Sequence, residues 1–335
     1  MRRWLLQAFA LVAAVSLAAC GARGGTDTVD GGTLHLSINQ TAEHPMTVAL
    51  KGMSEGLFER TDGRWTLVIH PNEVLGAQRE VIQLLQDDIV ELAIVNGSQL
   101  ENLNHDFRVF NLPFVFDDID HQMKVVNNPE ITDSLYKSLE GLNINVVAAY
   151  TGGERSLYTE QGPINTPSDI QGMKIRVQET DTNLRMIRQM SGSPTPMSYG
   201  EVYTALQAGV IDGAENNEVS YVQQKHYEVA KHWSYTRHLI IPDYLIVSHK
   251  MLERFTPEDR AIFDELLAKS VEDEVRLWNE TTQEALVTMQ EAGVTITEPD
   301  AEAFRTAIEP MINDSLTSEA MRELFDKTRQ LAGGK

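Results

Sequence analysis

The sequence alternates between two kinds of hydrophobic pattern, and this alternation restricts the possible folds more than any other feature. Short apolar segments typical of strands occur at 33–39, 64–71 and 90–97. Between them, segments 44–61 and 77–88 carry apolar residues three and four positions apart, the spacing of an amphipathic helix. Strands that alternate with helices in this way pack as a sheet covered by helices, so we predict an α/β fold.

The second half of the chain repeats this alternation and adds one very long helix. A nearly continuous apolar run at 142–150 predicts a strand of a parallel sheet that is covered on both faces. Residues 256–293 begin with Thr-Pro, a favoured helix start, and contain no helix breaker before the final glycine. Such a helix is roughly 50 Å long, more than one lobe needs. We expect it to run across two lobes and brace them.

Residues 1–20 are predicted to be a signal peptide rather than part of the fold. Two arginines precede an apolar run at 4–17 that is too short to span a membrane comfortably. Leu-Ala-Ala then precedes Cys20, which has the form of a lipoprotein cleavage site. We predict a lipid on Cys20 and a flexible tether at 21–32, with an ordinary secretion signal as the alternative. The expected location is the cell envelope outside the cytoplasm, anchored by lipid.

Cysteine content and charge exclude several classes of protein. Cys20 is the only cysteine, so no disulfide, cysteine zinc site or catalytic thiol is expected in the mature domain. The formal net charge of -21 argues against nucleic acid as a partner. A small anionic ligand stays compatible with this charge, because repulsion is screened beyond about 8 Å at physiological salt. With 335 residues, 42% of them hydrophobic, we expect a large core in two lobes.

Motifs for catalysis are scarce in this chain. There is no P-loop, no Gly-x-Ser-x-Gly, no His-Glu-x-x-His and no convincing spacing of metal ligands. His226 and His232 are expected at the surface of a helix. Asp212 and Glu215 would be the carboxylate pair of an exported carbohydrate-acting enzyme, but we favour a turn made by Asp212 and Gly213. We therefore expect a protein that is not an enzyme and that has no cofactor.

Polar side chains are concentrated at the ends of the predicted strands, where ligands of open α/β sheets bind. Arginine offers a planar fork that matches a carboxylate, and asparagine offers a donor and an acceptor that suit hydroxyls. No nucleophile accompanies them, so the set predicts binding without chemistry. For Arg176 two interpretations stay open: the polar face of a half-solvated strand at 172–178, or a cleft residue that holds an anion. The set comprises Asn39, Asn96, Arg155, Arg176, Asn216 and Asn217.

Several long stretches of the chain resemble one protein family. TGGERSLYTEQGPINTPSDIQGMKIRV, GSPTPMSYGEVYTALQAGVIDGAENN and QQKHYEVAKHW are similar to solute-binding proteins of tripartite ATP-independent periplasmic (TRAP) transporters. The similarity extends upstream through HPNEVLGAQREVIQLLQDD and FNLPFVFDDIDH. It implies two α/β lobes with a hinge and a long helix spanning both lobes. The implied lobes are 33–152 with 242–281, and 153–241 with 282–335.

The resemblance also implies roles for individual residues. Arg176, in Lys-Ile-Arg-Val, matches the family's arginine that salt-bridges the ligand carboxylate. Arg155, in Gly-Gly-Glu-Arg, matches a second ligand-binding arginine, and Asn216 matches a ligand-contacting asparagine. Further pocket-lining positions are Asn39, Asn96 and Tyr199, and weaker candidates, named only as sequence neighbours, are His44, Gln78, Asn217 and Asp243.

A ligand class and a partner follow from the same resemblance. EVYTALQAGVIDGAENN and the later IPDYLIVS look most like the branch for hexuronates, aldonates and related sugar acids. The expected function is capture of an acid such as glucuronate or galacturonate by arginine–carboxylate pairing and lobe closure. The acid would then pass to an ion-gradient-driven membrane permease. A sensory binding protein that feeds a receptor kinase is the alternative, and a monomer without metal is expected.

Overall fold

The computed structural model describes residues 31–332, so Cys20, the predicted signal peptide and most of the tether lie outside the described residues. The strands are β1 Gly32–Ser37, β2 Trp65–His70, β3 Leu92–Asn96, β4 Ile144–Thr159, β5 Lys174–Val177, β6 Ser193–Pro196, β7 Gly213–Asn216, β8 His232–Ser248 and β9 Thr295–Thr297. The α-helices are α1 Pro45–Arg60, α2 Gln78–Gln86, α3 Gly97–Glu101, α4 Ile119–Val126, α5 Pro129–Lys137, α6 Asp181–Gln189, α7 Val202–Gln207, α8 Glu218–Gln223, α9 His249–Glu253, α10 Pro257–Glu291, α11 Ala301–Ser315 and α12 Glu319–Gln330. Short 3-10 turns occur at His105–Asn111, Glu140–Leu142, Pro167–Ile170, Tyr199–Glu201 and His226–Glu228.

All of these strands belong to one mixed sheet with the order β2-β1-β3-β8-β4-β7-β5-β6, and β9 pairs with β8. β1 runs parallel to β2 and β3, whereas β5 runs parallel to β6 and β7. The long strands β4 and β8 lie antiparallel to each other at the centre and join these two parallel groups. The sheet is therefore continuous through the molecule, and each end of it is a separate parallel group.

The parallel strand predicted at 142–150 is antiparallel in the structure, so that prediction is wrong. The segment forms the first part of β4, which pairs antiparallel with β8 and, further along, with β7. Its apolar run reflects burial on both faces, because Ala149 and Tyr150 pack into different hydrophobic clusters. Burial on both faces does not specify the direction of the neighbouring strand, which is set by contacts distant in sequence.

The long helix predicted at 256–293 is confirmed as α10, which has 35 residues. Thr256 caps its start, accepting a hydrogen bond at Oγ1 from the backbone N of Asp259 at 3.1 Å. Gly293 follows its end with φ at 71°, a conformation that glycine adopts without strain. Within residues 31–332, no helix combines the length and the apolar character that crossing a membrane requires.

The buried apolar side chains of residues 31–332 form four clusters, two in each lobe. Two clusters cover β1 to β3 and the adjoining halves of β4 and β8, with Trp65 and Phe107 among their members. The other two cover β5, β7 and the remaining halves of β4 and β8, and they include Phe304. Helix α10 contributes Phe263 to the first group and Met289 to the second. The long helix thus spans both lobes of a two-lobed α/β architecture.

We propose lobe boundaries near Gly152 and Pro242, where β4 and β8 pass from one pair of clusters to the other. The C-terminal boundary needs a correction, since the sequence analysis assigned all of 282–335 to the second lobe. Helix α12 instead packs Met321 and Leu324 into a cluster of the first lobe. The amphipathic pattern of α12 predicts a buried face but does not specify which lobe receives it.

The middle of β4 is irregular at 151–154, where its register against β8 shifts. Gly153 has φ at 71°, and the ring of Trp278 lies where a side chain at this position would go, so only glycine fits. Asn217 Nδ2 donates to the carbonyl of Gly152 at 2.8 Å. These contacts fix the point where the strands cross between the lobes, and they hold the strand ends of both lobes around one cleft.

Candidate functional site

A cleft lies where the strand ends of the two lobes face each other. It encloses a cavity of about 40 Å³, below the roughly 300–1,000 Å³ that is usual for small-molecule sites. The structure brings nine of the ten predicted ligand-site residues to its lining. They are Asn39, Gln78, Asn96, Arg155, Arg176, Tyr199, Asn216, Asn217 and Asp243.

Arg176 reaches the cleft from β5 with a guanidinium that is buried but not ion-paired. The residue is 3% exposed, so the half-solvated strand face is the wrong interpretation. Its Nε and Nη2 donate to the backbone carbonyl of Met197 at 3.1 and 2.8 Å. No carboxylate oxygen of residues 31–332 lies within 4.0 Å of its nitrogens. Burial lowers the pKa of Arg176, because the loss of hydration outweighs the attraction of the more distant Glu215 carboxylate.

Arg155, from β4, is also buried, but it is already paired with Glu215 of β7. Its Nε donates to one carboxylate oxygen of Glu215, and Nη2 donates to the other and to the Glu215 carbonyl, each at 2.8 Å. Nη1 donates to Asn216 Oδ1 at 2.9 Å. Burial alone would raise the pKa of Glu215, but Arg155 and His238 outweigh burial and hold this pKa at about 2. One of the five N–H groups of Arg155 is left for a ligand.

The amide side chains of the cleft differ in how many of their donors and acceptors already form hydrogen bonds within the protein. Asn217 caps α8, and Asn96 caps α3 while its Nδ2 donates to Asp243 Oδ1 at 2.8 Å. Asn216 accepts at Oδ1 from the neighbouring guanidinium, but its Nδ2 donates to no atom of residues 31–332. Asn39 makes no side-chain hydrogen bond in the same range and is half-buried. The last two therefore retain donors for a ligand.

Two carboxylates also approach the cleft. Asp243 of β8 receives one hydrogen bond, from Asn96, and no donor in the described part of the chain reaches its other oxygen. Burial raises the pKa of Asp243 to about 6. Glu73, after β2, accepts a hydrogen bond from the backbone N of Gly200 at 3.0 Å and so connects the two sides of the cleft. Tyr199 lies next to this contact and is 7% exposed.

His44 is the predicted site residue that the structure places away from the cleft. It caps α1, accepting at Nδ1 from the backbone N of Met46 at 3.3 Å. Its ring packs edge-on against Trp278 with 5.6 Å between centroids, and burial lowers the pKa of His44 to about 3. Gln78, by contrast, lies at the cleft and accepts at Oε1 from the backbone N of Asn96 at 2.7 Å. Capping and packing account for His44.

Several cleft residues were not named from the sequence. Gln178 follows Arg176 by two positions and so shares its face of the strand, a signal that would have found it. Its Oε1 accepts from Ser98 Oγ at 2.9 Å, across the cleft. Glu73 and Met197 lie in loops, where no periodic pattern marks them. The remaining lining residues are Gln40, Ala77, Arg79, Gln99, Gly152, Glu179 and Ser198.

The carboxylate pair that an enzyme would need is not assembled. Asp212 is half-buried outside the cleft, where it accepts hydrogen bonds from Lys174 N and Gln161 Nε2 at 2.7 and 3.0 Å. Neither Asp212 nor Glu215 lines the cleft, and Glu215 is held by its ion pair. The expected surface position of His226 is also wrong, because the residue is buried.

Comparisons with known proteins identify the family. Residues 36–319 match the model DctP, described as bacterial extracellular solute-binding protein, family 7. A solute-binding protein of Chromohalobacter salexigens is 35% identical over 269 residues, which cover 80% of each chain. A TRAP periplasmic solute-binding protein of Anaerococcus prevotii, solved with bound D-glucuronate, has a TM-score of 0.87 and 33% identity, covering 89% of this chain and 97% of that one.

A second solved structure has a related ligand. The TRAP periplasmic solute-binding protein of Xanthobacter autotrophicus, with bound β-D-galacturonate, has a TM-score of 0.85 and 30% identity. The similarity covers 89% of this chain and 99% of that one. Since the family model and these relatives span most of the chain, the protein belongs to the DctP family and is a TRAP periplasmic solute-binding protein.

Proposed function

We propose that the protein captures a hexuronate, such as D-glucuronate or D-galacturonate, and that Arg176 binds its carboxylate. The observation that carries this proposal is a buried guanidinium that faces a polar cleft without a carboxylate partner in residues 31–332. A buried charge is costly unless it is paired. Among residues 31–332, no acceptor occupies the N–H groups of Nη1 or the second N–H of Nη2. A carboxylate can therefore bind across these two nitrogens in the fork geometry that arginine favours.

The remaining cleft groups suit the hydroxyls of a sugar acid. Asn39 and Asn216 offer free donors, and the unbonded oxygen of Asp243 offers an acceptor. A site whose buried polar groups need hydroxyl partners discriminates strongly against analogues that lack them. The uronates bound by the similar proteins of Anaerococcus and Xanthobacter support the same ligand class. Arg155 would add its one free N–H and hold Asn216 in place.

Lobe closure would complete the site around the ligand. The hydrogen bonds that connect the lobes beside the cleft include Glu73 to Gly200 at 3.0 Å, Ser98 to Gln178 at 2.9 Å and Thr41 to Gln223 at 2.9 Å. The irregular segment of β4 at 151–154 is the proposed hinge, since backbone irregularities in connecting strands absorb the rotation of one lobe against another. An open form admits the acid, and closure removes it from water.

The bound acid would then pass to the membrane permease of the transporter. We propose that a lipid on Cys20 keeps the protein, a monomer, near that permease at the envelope. One acyl chain anchors weakly, so the several chains of a bacterial lipoprotein would be needed. Closure presents the permease with a different lobe arrangement from the empty form, so that loaded and empty proteins can be distinguished.

Calorimetric titration with a panel of small molecules tests this function. D-glucuronate and D-galacturonate should bind, whereas glucose and galactose, which lack the carboxylate, should not. Arg176→Met should weaken uronate binding by about 30-fold to several thousand-fold, the usual effect of removing one partner of a buried charge pair. Arg188→Met removes an exposed arginine from α6 and is the matched control, with unchanged affinity expected.

Two results would contradict the proposal in different ways. Binding of succinate or pyruvate in preference to uronates would overturn the sugar-acid class. Equal binding of neutral sugars, or uronate binding by the Arg176→Met variant at wild-type affinity, would overturn the assignment of the carboxylate site.

A further inference from the structure

The charged residues that line the cleft do not all form ion pairs with one another. Arg155 is neutralised by Glu215, which lies behind the cleft wall. This leaves Arg176 as a cation without a carboxylate partner and Asp243 as a carboxylate without a cationic partner within 4.0 Å, among residues 31–332. The other charged lining residues lie nearer solvent: Glu73 is half-buried, and Arg79 and Glu179 are exposed with opposite signs.

The free cation and the free carboxylate lie at different ends of the cleft. Arg176 is on β5 and Asp243 is on β8, with β7 and β4 between them in the sheet. Both side chains line the same cleft, Arg176 from the second lobe and Asp243 from the part of β8 that adjoins the first lobe. A ligand that fills this cleft with its carboxylate on Arg176 therefore presents its other end toward Asp243.

Asp243 has the chemistry of an acceptor site. Its Oδ1 accepts from Asn96 Nδ2 at 2.8 Å, and no described donor reaches Oδ2. The residue is 5% exposed, so little solvent screens its charge. A ligand hydroxyl would donate to Oδ2, whereas a second ligand carboxylate has no proton to donate and would meet a like charge. The nearby charge of Arg155 offsets only part of that repulsion, because Arg155 is already ion-paired with Glu215.

We propose that Asp243 is a specificity-determining residue that restricts the site to polyhydroxy acids with one carboxylate. Hexarates, which carry a carboxylate at both ends of the same six-carbon chain, are excluded, as are other dicarboxylates of similar length. The inference rests on the proposed function, since it takes Arg176 as the anchor of the first carboxylate. It adds the requirement that the end of the ligand facing Asp243 carries hydroxyls and no second carboxylate.

Titration of the purified protein with matched acids tests the rule at neutral pH. D-glucuronate is compared with D-glucarate, and D-galacturonate with galactarate, each pair differing by the second carboxylate and the ring it prevents. Like-charge contacts at buried interfaces cost several kcal/mol, so we expect the hexarate to bind at least about 100-fold more weakly than the uronate. This ratio of uronate affinity to hexarate affinity is measured on the wild-type protein alone.

Variants assign the discrimination to one residue. Asp243→Asn keeps the shape and removes the charge, and it should narrow the uronate-to-hexarate ratio by about tenfold or more. Asp243→Ser repeats the charge removal with a smaller side chain if the asparagine variant does not fold. Asp133→Asn, an exposed acid on α5, makes the same change in net charge and should leave the ratio unchanged.

The outcomes separate this inference from the proposed function. Equal wild-type affinity for a uronate and its hexarate, or an unchanged ratio when Asp243 loses its charge, overturns the inference while uronate binding stands. If neither uronate binds, the proposed function fails and the inference fails with it. A strong wild-type preference that narrows in the Asp243 variants, but not in Asp133→Asn, supports both.

Discussion

Two regions of the cleft contain a buried arginine, and they differ in what surrounds it. In the Arg155 region, Glu215 supplies both carboxylate oxygens and Asn216 supplies a further acceptor. In the Arg176 region, the only protein acceptor among residues 31–332 is the neutral carbonyl of Met197. In the first region the arginine charge is neutralised by a carboxylate of the protein, whereas in the second a ligand carboxylate is needed to neutralise it.

Burial alone does not distinguish the two regions. Arg155 is 4% exposed and Arg176 is 3% exposed, and both reach the same cleft. The difference lies in the carboxylate partner, which changes the consequence of removing each arginine. Loss of Arg155 leaves a buried carboxylate without its cation, whereas loss of Arg176 leaves only the neutral carbonyl of Met197 without its donors. The comparison therefore predicts that removing Arg155 lowers the stability of the protein, whereas removing Arg176 weakens ligand binding and does not lower stability.

The largest expected effect is on the stability of the Arg155 region. Arg155→Met should lower the free energy of unfolding by about 3–5 kcal/mol, because Glu215 would remain buried without its cation. Urea unfolding of the ligand-free protein measures the change. Arg260→Met breaks an exposed ion pair with Asp264 on α10 and should cost less than about 1 kcal/mol. Equal, small losses in both variants would show that the buried pair adds no stability.

The pH dependence of stability should report the same buried pair. The pKa of Glu215 is lowered from 4.5 to about 2 in the folded protein. A lowered carboxyl pKa stabilises the fold above pH 4.5, and that stability is lost as the pH falls toward 2. The loss amounts to about 3 kcal/mol at 1.36 kcal/mol per pKa unit.

Other carboxylates titrate in the same window, so the difference between wild type and Glu215→Gln is the useful quantity. This difference in unfolding free energy should shrink as the pH is lowered from 5.5 toward 2. A difference that stays constant over the window would mean that the charge of Glu215 does not support the fold.

A smaller effect is expected from the contact that joins the two sides of the cleft. Glu73→Ala removes the hydrogen bond to Gly200 and should weaken uronate binding about fivefold, the equivalent of about 1 kcal/mol. Calorimetric titration measures it, with Glu80→Ala as the exposed control on α2. Unchanged affinity would show that this hydrogen bond does not stabilise the closed, ligand-bound form.

The smallest predicted effect is on the stability of Arg176→Met, and it separates the two arginine regions most directly. Arg176→Met should leave the stability of the ligand-free protein unchanged or raise it by up to about 1 kcal/mol, because a buried charge without a carboxylate partner is replaced by an apolar side chain. Thermal and urea unfolding of the two methionine variants should therefore diverge. A loss of 3 kcal/mol or more in Arg176→Met would make this arginine structural as well.

Local features of the fold were predictable from the sequence. Thr166 forms a capping box with Asp169 before β5, and the Thr-x-x-Asp spacing is visible in the sequence. Gly209 follows the end of α7 with φ at 66°, a conformation that glycine adopts without strain. Helix α10 was predicted nearly to its ends. Capping and periodicity act between residues within about four positions, so the sequence contains them directly.

Features that depend on distant contacts were not predictable in the same way. The direction of β4, the lobe that receives α12 and the burial of His226 all depend on packing between segments far apart in the chain. Amphipathic spacing indicates that a face is buried but not which surface covers it. The same limit explains why Glu73 and Met197, which lie in loops, were missed at the cleft.

The sequence by itself determined the α/β class, the helix that spans both lobes, the family resemblance and the two arginines of the cleft. Only the tertiary structure decided that these arginines differ. Arg155 and Glu215 are 60 positions apart in the chain and become partners because β4 and β7 are neighbours in the sheet. Among residues 31–332 Arg176 has no such partner, and its guanidinium donates instead to the backbone carbonyl of Met197. The energy of a charge depends on distances in space, which the order of residues does not specify.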